Sequence, residues 1–255
     1  MTEERAGRLA IISDIHANLE ALTAVLEDIK AVGADAVYCL GDMIGYGPNP
    51  RECLQLARER CDLVLCGNHE EAVLFYAEDF NQKAKRAIDW TRDMLNAPEF
   101  SKEENFGIWD FLGDLKGRRE EGPYLFVHGS PRVPTREYIL PKDAEDRKKM
   151  QSIFALVPQA CFVGHTHLAG LFDEEGHFWD ARELPDPISL QGGKKIINVG
   201  SVGQPRDNDP RSCYVLLERG EARFRRVAYP VDLTVRKILN TPALPSYLAD
   251  RIKVG

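Results

Sequence analysis

Leu9-Ala10-Ile11-Ile12-Ser13-Asp14-Ile15-His16-Ala17-Asn18 is a short apolar run followed at once by an acid and an imidazole. Four apolar residues in a row suit a strand buried on both faces, so Asp14 and His16 fall at its carboxyl end. Asn18 precedes Leu19, Leu22, Leu26, Ile29 and Val32, a spacing of three and four that lays one apolar stripe along a helix, which Gly33 ends. Asn18 reads as the N-cap of that helix, with substrate contact as the alternative. The arrangement recurs. Runs at 37–40, 63–66, 124–127 and 161–163 lead into Gly41-Asp42, Gly67-Asn68-His69-Glu70, His128-Gly129 and Gly164-His165-Thr166-His167. Five of the six histidines thus sit at strand ends beside Asp, Asn or Gly, where loops leaving neighbouring strands of an α/β sheet converge. With Gly41-Asp42 they have the makings of a two-metal centre.

The chain's 255 residues, 44% of them hydrophobic, can bury a full core as one domain. A net charge of -7 disfavours a protein that holds duplex nucleic acid by its phosphates, which needs a clustered basic face. The six cysteines form no Cys-x-x-Cys pair, and several lie in apolar runs, as reduced structural thiols do. The first apolar run, 9–12, is too short for a signal peptide core, and no segment approaches the roughly 20 apolar residues of a membrane span. A soluble, cytoplasmic protein is expected.

The β-α-β-α start favours parallel strands. A second helix is expected around Cys53, Leu54 and Ala57, and a helical insertion over about 70–120 with Trp90, Met94, Phe106, Trp109 and Phe111 as apolar anchors. Its charged runs, such as 79–86, read as solvated helix faces. A charged helix is expected over 144–156. The second half is richer in antiparallel β: a hairpin of 168–172 with 177–180, then strands at 195–199, 212–217 and 222–227. His177, in the hairpin turn, reads as solvated and without function. One domain of two packed sheets with outer helices, spanning 1–255, is the expected architecture.

Asp14-x-His16, Gly41-Asp42, Gly67-Asn68-His69, His128 and Gly164-His165-x-His167, in this order, resemble the calcineurin-like metallophosphoesterases over about residues 9–210. The run Asn198-Val199-Gly200-Ser201-Val202-Gly203-Gln204-Pro205-Arg206-Asp207 is similar to that of a small prokaryotic branch loosely grouped with phosphodiesterases. The resemblance implies a four-layer α/β-β/α sandwich of two mixed sheets flanked by helices. It implies that Asp14, His16, Asp42 and His167 bind one metal and that Asp42, Asn68, His128 and His165 bind the other. Asp42 would bridge them, since one carboxylate can hold two cations about 3.5 to 4 Å apart and a neutral Asn cannot. Four imidazoles and two carboxylates suit Mn, Fe, Zn or Ni better than Mg or Ca, with Mn favoured. His69 would lie beside the leaving group as an acid, outside the ligand set.

The implied activity is hydrolysis of a small phosphodiester or nucleotide pyrophosphate linkage by a metal-bridged hydroxide. Cyclic nucleotides, dinucleoside polyphosphates and phosphomonoesters are the candidate substrates. The alternatives are a phosphomonoesterase or nucleotidase, a nuclease, and a non-catalytic scaffold on the same fold; loss of ligand or acid histidines would mark the scaffold, and none is missing. Gly45 and Tyr46 stand where the serine/threonine protein phosphatases carry an Asp that orients the catalytic His and an Arg that binds phosphate, which argues against that branch. Tyr46 either lines the pocket or packs in a Gly-rich turn. Glu70, where many small prokaryotic members have Asp, reads as a cap on the helix that follows. Gly200-Ser201 and Arg206-Asp207 read either as a phosphate cradle or as a tight turn with a structural ion pair.

Overall fold

In the computed structural model, which describes residues 7–75, 77 and 80–255, β1 (Leu9–Ile12) pairs in parallel with β2 (Ala36–Cys39). Between them runs α1 (Leu19–Val32), which starts where Asn18 Oδ1 accepts from Ala21 N at 3.2 Å and ends at Gly33, whose φ of 69° is left-handed. The cap reading of Asn18 therefore stands. α2 (Pro50–Arg60) follows, then β3 (Leu63–Val64), parallel to β2. The apolar run at 63–66 makes a shorter strand than expected, because beyond Val64 the chain meets only an isolated bridge from Leu65 to Lys116 before turning into the site.

The insertion is helical as far as residue 114: α3 (Asn68–Leu74), α4 (Gln82–Leu95) and α5 (Lys102–Asp114). It then closes in β4 (Arg118–Glu121), an edge strand of four charged, exposed residues that pairs antiparallel with β5 (Tyr124–Val127). In the run at 79–86, residue 79 lies outside the described residues, and Arg86 is exposed, donating to the Pro242 carbonyl at 2.7 Å. The expected helix over 144–156 is a 3-10 turn, Pro141–Glu145, followed by α6 (Arg147–Phe154), which Asp146 caps by accepting from Lys149 N. β6 (Ala160–Val163) is parallel to β5, and β7 (Gly170–Asp173) with β8 (Phe178–Asp180) forms the expected hairpin. The remaining elements are β9 (Ile188–Ser189), β10 (Lys195–Asn198), β11 (Ser212–Glu218), β12 (Glu221–Val227), α7 (Val231–Leu239) and α8 (Tyr247–Val254).

These strands form two six-stranded mixed sheets, ordered β3-β2-β1-β11-β12-β9 and β4-β5-β6-β10-β7-β8. Strand side chains alternate, but both faces are apolar because both are covered. On β1, Ile11 joins the cluster between the sheets while Ala10 and Ile12 pack outward with Leu22 and Val25 of α1. On β6, Phe162 points to the inter-sheet core, and Cys161 and Val163 pack with Ile153 of α6. The layers are thus helix, sheet, sheet, helix. Phe126 and Phe162 stack with centroids 5.4 Å apart in the middle of the inter-sheet core. All six cysteines are free thiols, and burial pushes Cys39 and Cys53 well above the ordinary thiol range. No helix among the described residues is long and apolar enough to cross a membrane.

Asp28 on α1 ties the outer layer to the sheet. Its carboxylate accepts from Tyr214 Oη at 2.6 Å and from Arg225 Nη2 at 2.7 Å. Burial pushes this carboxyl up, but those hydrogen bonds and the Arg225 charge outweigh it and hold Asp28 below the ordinary range. A carboxyl depressed in the folded state stabilises above its unfolded pKa of about 3.9 and loses that contribution as the pH falls through the folded value. Asp28→Asn is expected to cost about 1 kcal/mol at pH 7, a figure reduced by solvent screening. Urea titrations of the two proteins should draw together as the pH falls below about 4 and through the folded value; a gap that stays undiminished throughout would show that the loss is one of packing.

Candidate metal centre

β1, β2 and β3 run parallel in one sheet and β5 and β6 in the other, and all five deliver their carboxyl ends to one edge of the sandwich. Asp14 and His16 follow β1, Asp42 follows β2, Asn68 begins α3 just after β3, His128 follows β5, and His165 and His167 follow β6. All seven are buried. The loop after β1 is laid against the loop after β2 by hydrogen bonds from Asp14, His16 and Ala17 N–H to the carbonyls of Gly41, Asp42 and Met43.

The imidazole orientations are fixed by backbone. His16 Nδ1 donates to Ile44 O at 3.2 Å and His167 Nδ1 donates to Gln204 O at 2.5 Å, since a carbonyl can only accept. Their Nε2 atoms, left as lone pairs, face each other at 3.1 Å. His165 Nε2 donates to Arg136 O, and its Nδ1 lone pair lies 3.1 Å from His128 Nε2. Lone pairs brought this close repel unless a cation or a proton lies between them. The spacing is that of adjacent ligands on one ion at roughly 2.1 Å.

The carboxylates complete the two sets. Asp14 Oδ1 is buried with no hydrogen-bond partner among the described residues and lies 3.1 Å from His167 Nε2 and 3.7 Å from His16 Nε2. Asp42 Oδ1 is held by the His69 amide at 2.9 Å, while Oδ2 is 3.7 Å from His16 Nε2 and 3.3 Å from His128 Nε2, facing both groups. Asn68 Oδ1 adds a further oxygen 3.1 Å from His128 Nε2. Asp14, His16 and His167 form one group that could hold a metal, and Asp42, His128 and His165 form another. The field agrees: despite a burial that alone would push it down, His128 is pushed up to about 9 by Asp42 and Asp14, a demand for positive charge that a divalent ion would satisfy.

His69 stands at the same centre, with Nε2 3.9 Å from Asp42 Oδ2, close enough that a group of His16, Asp42 and His69 could also hold an ion. Tyr46 and Phe80 meet its ring edge-on at 4.4 and 5.0 Å, and Tyr46 also packs on His16 at 4.8 Å. Tyr46 therefore borders the centre, and the insertion covers it through Phe80. Burial pushes His69 down to about 4.

Two residues carry more than their sequence context shows. Glu70 does cap α3, accepting from Gly67 N at 2.9 Å, but it also accepts from Asp42 N and Met43 N at 2.8 Å and from Ile44 N at 3.3 Å. One carboxylate thus clamps the loop that carries Asp42, and burial with the Asp42 charge pushes it up to about 7. Tyr138, in no motif, stacks on His165 at 3.6 Å. Of the cradle-or-ion-pair alternatives, Asp207 does make a buried ion pair, but with Arg226 of β12 and not with its neighbour Arg206. Ser201 Oγ donates to Asp14 O at 2.7 Å and accepts from Gln204 N, a structural turn under the site. His177 is exposed and paired with Asp173 at the far hairpin.

The family model of the calcineurin-like phosphoesterase superfamily domain matches residues 8–221. The chain belongs to the calcineurin-like phosphoesterase superfamily. The chain is 35% identical over 258 residues to the uncharacterized protein MJ0912 of Methanocaldococcus jannaschii, covering 97% of this chain and 98% of that one. The crystal structure of a metallophosphoesterase from Sphaerobacter thermophilus is similar with a TM-score of 0.81 and 34% identity, covering 98% and 99% of the two chains. The hypothetical protein PH1004 of Pyrococcus horikoshii shares the fold, with a TM-score of 0.73 at 18% identity over 96% and 97%. The four-layer architecture expected of a calcineurin-like phosphoesterase is the one observed.

Proposed function

We propose that this calcineurin-like protein is a two-metal hydrolase of a small phosphorylated substrate, cleaving a phosphodiester or a nucleotide pyrophosphate linkage. The observation that carries the reading is the pair of imidazole couples whose ring nitrogens face each other at 3.1 Å on either side of Asp42 Oδ2. Asp14, His16, Asp42 and His167 would hold one ion and Asp42, Asn68, His128 and His165 the other, with Mn favoured and Fe, Zn and Ni compatible with the donors. Bound there, the ions supply positive charge for the phosphoryl oxygens and an acidified water. The Ile44, Gln204 and Arg136 carbonyls accept from the second ring nitrogens of His16, His167 and His165, which keeps the facing nitrogens basic and aimed. His69 is held neutral by burial, so it stabilises a leaving oxygen as a hydrogen-bond donor, or as an acid once the negative charge of a substrate raises it.

The test is Mn-dependent hydrolysis of a generic aryl phosphodiester against the matching monoester. Asp42→Asn is expected to lose metal, measured by mass spectrometry, and with it turnover. His69→Ala should retain metal and lose 100-fold or more in kcat on a poor leaving group, in keeping with about 10²–10⁴ for an acid catalyst. Full turnover by His69→Ala would remove that residue from the mechanism, and metal loss would make it a ligand. Preference for the monoester would redirect the assignment to a phosphomonoesterase.

A further inference from the structure

Backbone carbonyls orient the rings of His16, His165 and His167, but nothing of the kind orients His69. Its Nδ1 is buried with no hydrogen-bond partner among the described residues. What surrounds the ring is packing: Tyr46 meets it at 4.4 Å and Phe80 at 5.0 Å, with interplanar angles of 70° and 87°, and His16 lies 4.7 Å away. Gly45 closes the Nδ1 side, where an added Cβ would stand 2.0 Å from that nitrogen. The ring is therefore held by shape rather than by a hydrogen bond.

Tyr46 takes an unfavourable backbone conformation to reach this place. Its φ is 66°, a left-handed value that costs a residue with a side chain about 1 kcal/mol or more, in a loop where Gly45 and Gly47 stand on either side. Its hydroxyl makes no hydrogen bond among the described residues, so the ring is what the position uses. Tyr46 also packs against the α7–α8 cluster, beside Trp90 of α4 and Tyr247. That hairpin supplies no candidate ligand, yet it is tied to the loops around the centre. Thr234 Oγ1 donates to Asn18 Oδ1, Lys237 Nζ donates to Asn49 Oδ1, and the Gly255 carbonyl accepts from Asn208 N, each at 3.0 Å. Asn49, three residues along from Tyr46, donates its own N–H to Ala17 O at 3.0 Å.

We propose that Tyr46 and Phe80 form an aromatic clamp that positions His69 for the leaving group, and that the α7–α8 hairpin is the backing that keeps Tyr46 in the clamp. The inference rests on the phosphoesterase reading and deepens it, with Tyr46 as a positioning residue. Without a hydrogen bond at Nδ1, loss of either aromatic side chain frees the His69 ring to turn about its side-chain bonds, and a displacement of about 1 Å at a reacting centre can cost 10²-fold. The loss falls on the step that His69 serves, departure of a poor leaving oxygen. A leaving group that departs without help is spared.

The measurement is kcat of the Mn-loaded full chain on methyl phenyl phosphate relative to methyl 4-nitrophenyl phosphate, two diesters that differ only in leaving group, with metal content determined for every protein. Tyr46→Ala is expected to lower that ratio tenfold or more at full metal content, Phe80→Ala to lower it threefold or more, and Tyr46→Phe, which keeps the ring, to restore it to within twofold of wild type. Tyr247→Ala and Lys237→Met, which alter the backing and not the clamp, should each lower it threefold or more. Adding Tyr247→Ala to Tyr46→Ala should lower it no further, since the backing acts through Tyr46. Leu239→Gln, at an exposed position of α7, should leave it unchanged. In the metal-free protein, Tyr247→Ala should also shift or broaden the His69 Cε1–Hε1 NMR signal, assigned with His69→Ala, whereas Leu239→Gln should not. If wild type hydrolyses both diesters and the ratio is unmoved in Tyr46→Ala and Phe80→Ala, the clamp falls and the phosphoesterase reading stands. Metal loss in Tyr46→Ala would overturn the clamp as well, by making Tyr46 a support of His16, on which it also packs. A ratio that falls in Tyr46→Ala but holds in both Tyr247→Ala and Lys237→Met would overturn the backing. Hydrolysis of neither diester by metal-loaded wild type would overturn both readings. Should Tyr46→Ala fail to fold, Phe80→Ala and Tyr247→Ala decide.

Discussion

Glu70→Gln is expected to lower stability by about 3 kcal/mol and metal affinity or turnover by about 10- to 100-fold, although Glu70 touches neither metal nor substrate. The side chain is fully buried, and its two oxygens accept four backbone N–H groups, those of Asp42, Met43, Ile44 and Gly67. An amide of the same shape keeps one acceptor oxygen and turns an NH2 toward the donors on the other side. At least one buried N–H then loses its partner, each such loss costing about 1–3 kcal/mol, and the repulsion spreads the loop. Asp42 is the residue displaced, and its Oδ2 is the oxygen that both imidazole couples face. Calorimetric melting, metal analysis and kcat/KM on the aryl diester together check the expectation. A variant that melts lower yet keeps its metal and its rate would reduce Glu70 to a helix cap.

Gly67→Ala is expected to cost 100-fold or more in turnover while leaving most of the sandwich folded. A methyl at Gly67 would stand 2.2 Å from Asp42 Oδ1 and 2.5 Å from Asp42 N. Neither neighbour can yield cheaply, one being a candidate ligand and the other backbone fixed by Glu70. Either the Asp42 loop or the start of α3, with Asn68 and His69, must move, and displacements of about 1 Å at a reacting centre can cost 10²-fold. Gly107, inside α5 with nothing near the position of an added Cβ, is the control. Gly107→Ala should raise stability by about 0.5–1 kcal/mol and leave turnover alone. Equal activity losses in the two variants would show that crowding at Asp42 is not the cause.

The sandwich and the convergence at its edge were legible because apolar runs of three or four residues, each followed closely by an acid, amide or imidazole, repeat through the chain. Strand and ligand signals are local, and both survive in the sequence. The α1 stripe and its Asn18 cap were readable for the same reason. β4 was not, since its four residues are charged and exposed and it exists only by pairing along the edge of β5. Glu70 was half readable: the cap lies three residues away, but the clamp on Asp42, Met43 and Ile44 joins backbone groups 26 to 28 residues apart, for which no side-chain pattern exists. Arg206 and Asp207 invited pairing as neighbours, and the fold instead gave Asp207 to a strand 19 residues on. Tyr138 reaches His165 from a loop whose path nothing in its composition announces.

Five of the candidate ligands, Asp14, His16, Asp42, His165 and His167, have φ between 49° and 67°, the left-handed region that side-chain-bearing residues enter at a cost of about 1 kcal/mol or more each. The sandwich therefore holds its most chemically useful residues in their least comfortable backbone shapes. Glycine at any of the five would relieve the backbone, but it would also leave a buried gap, unpair groups such as the His69 and His165 amides that Asp42 and Asp14 hold, and remove a donor from the centre. The strain is therefore kept in place by the same side chains that give the centre its chemistry.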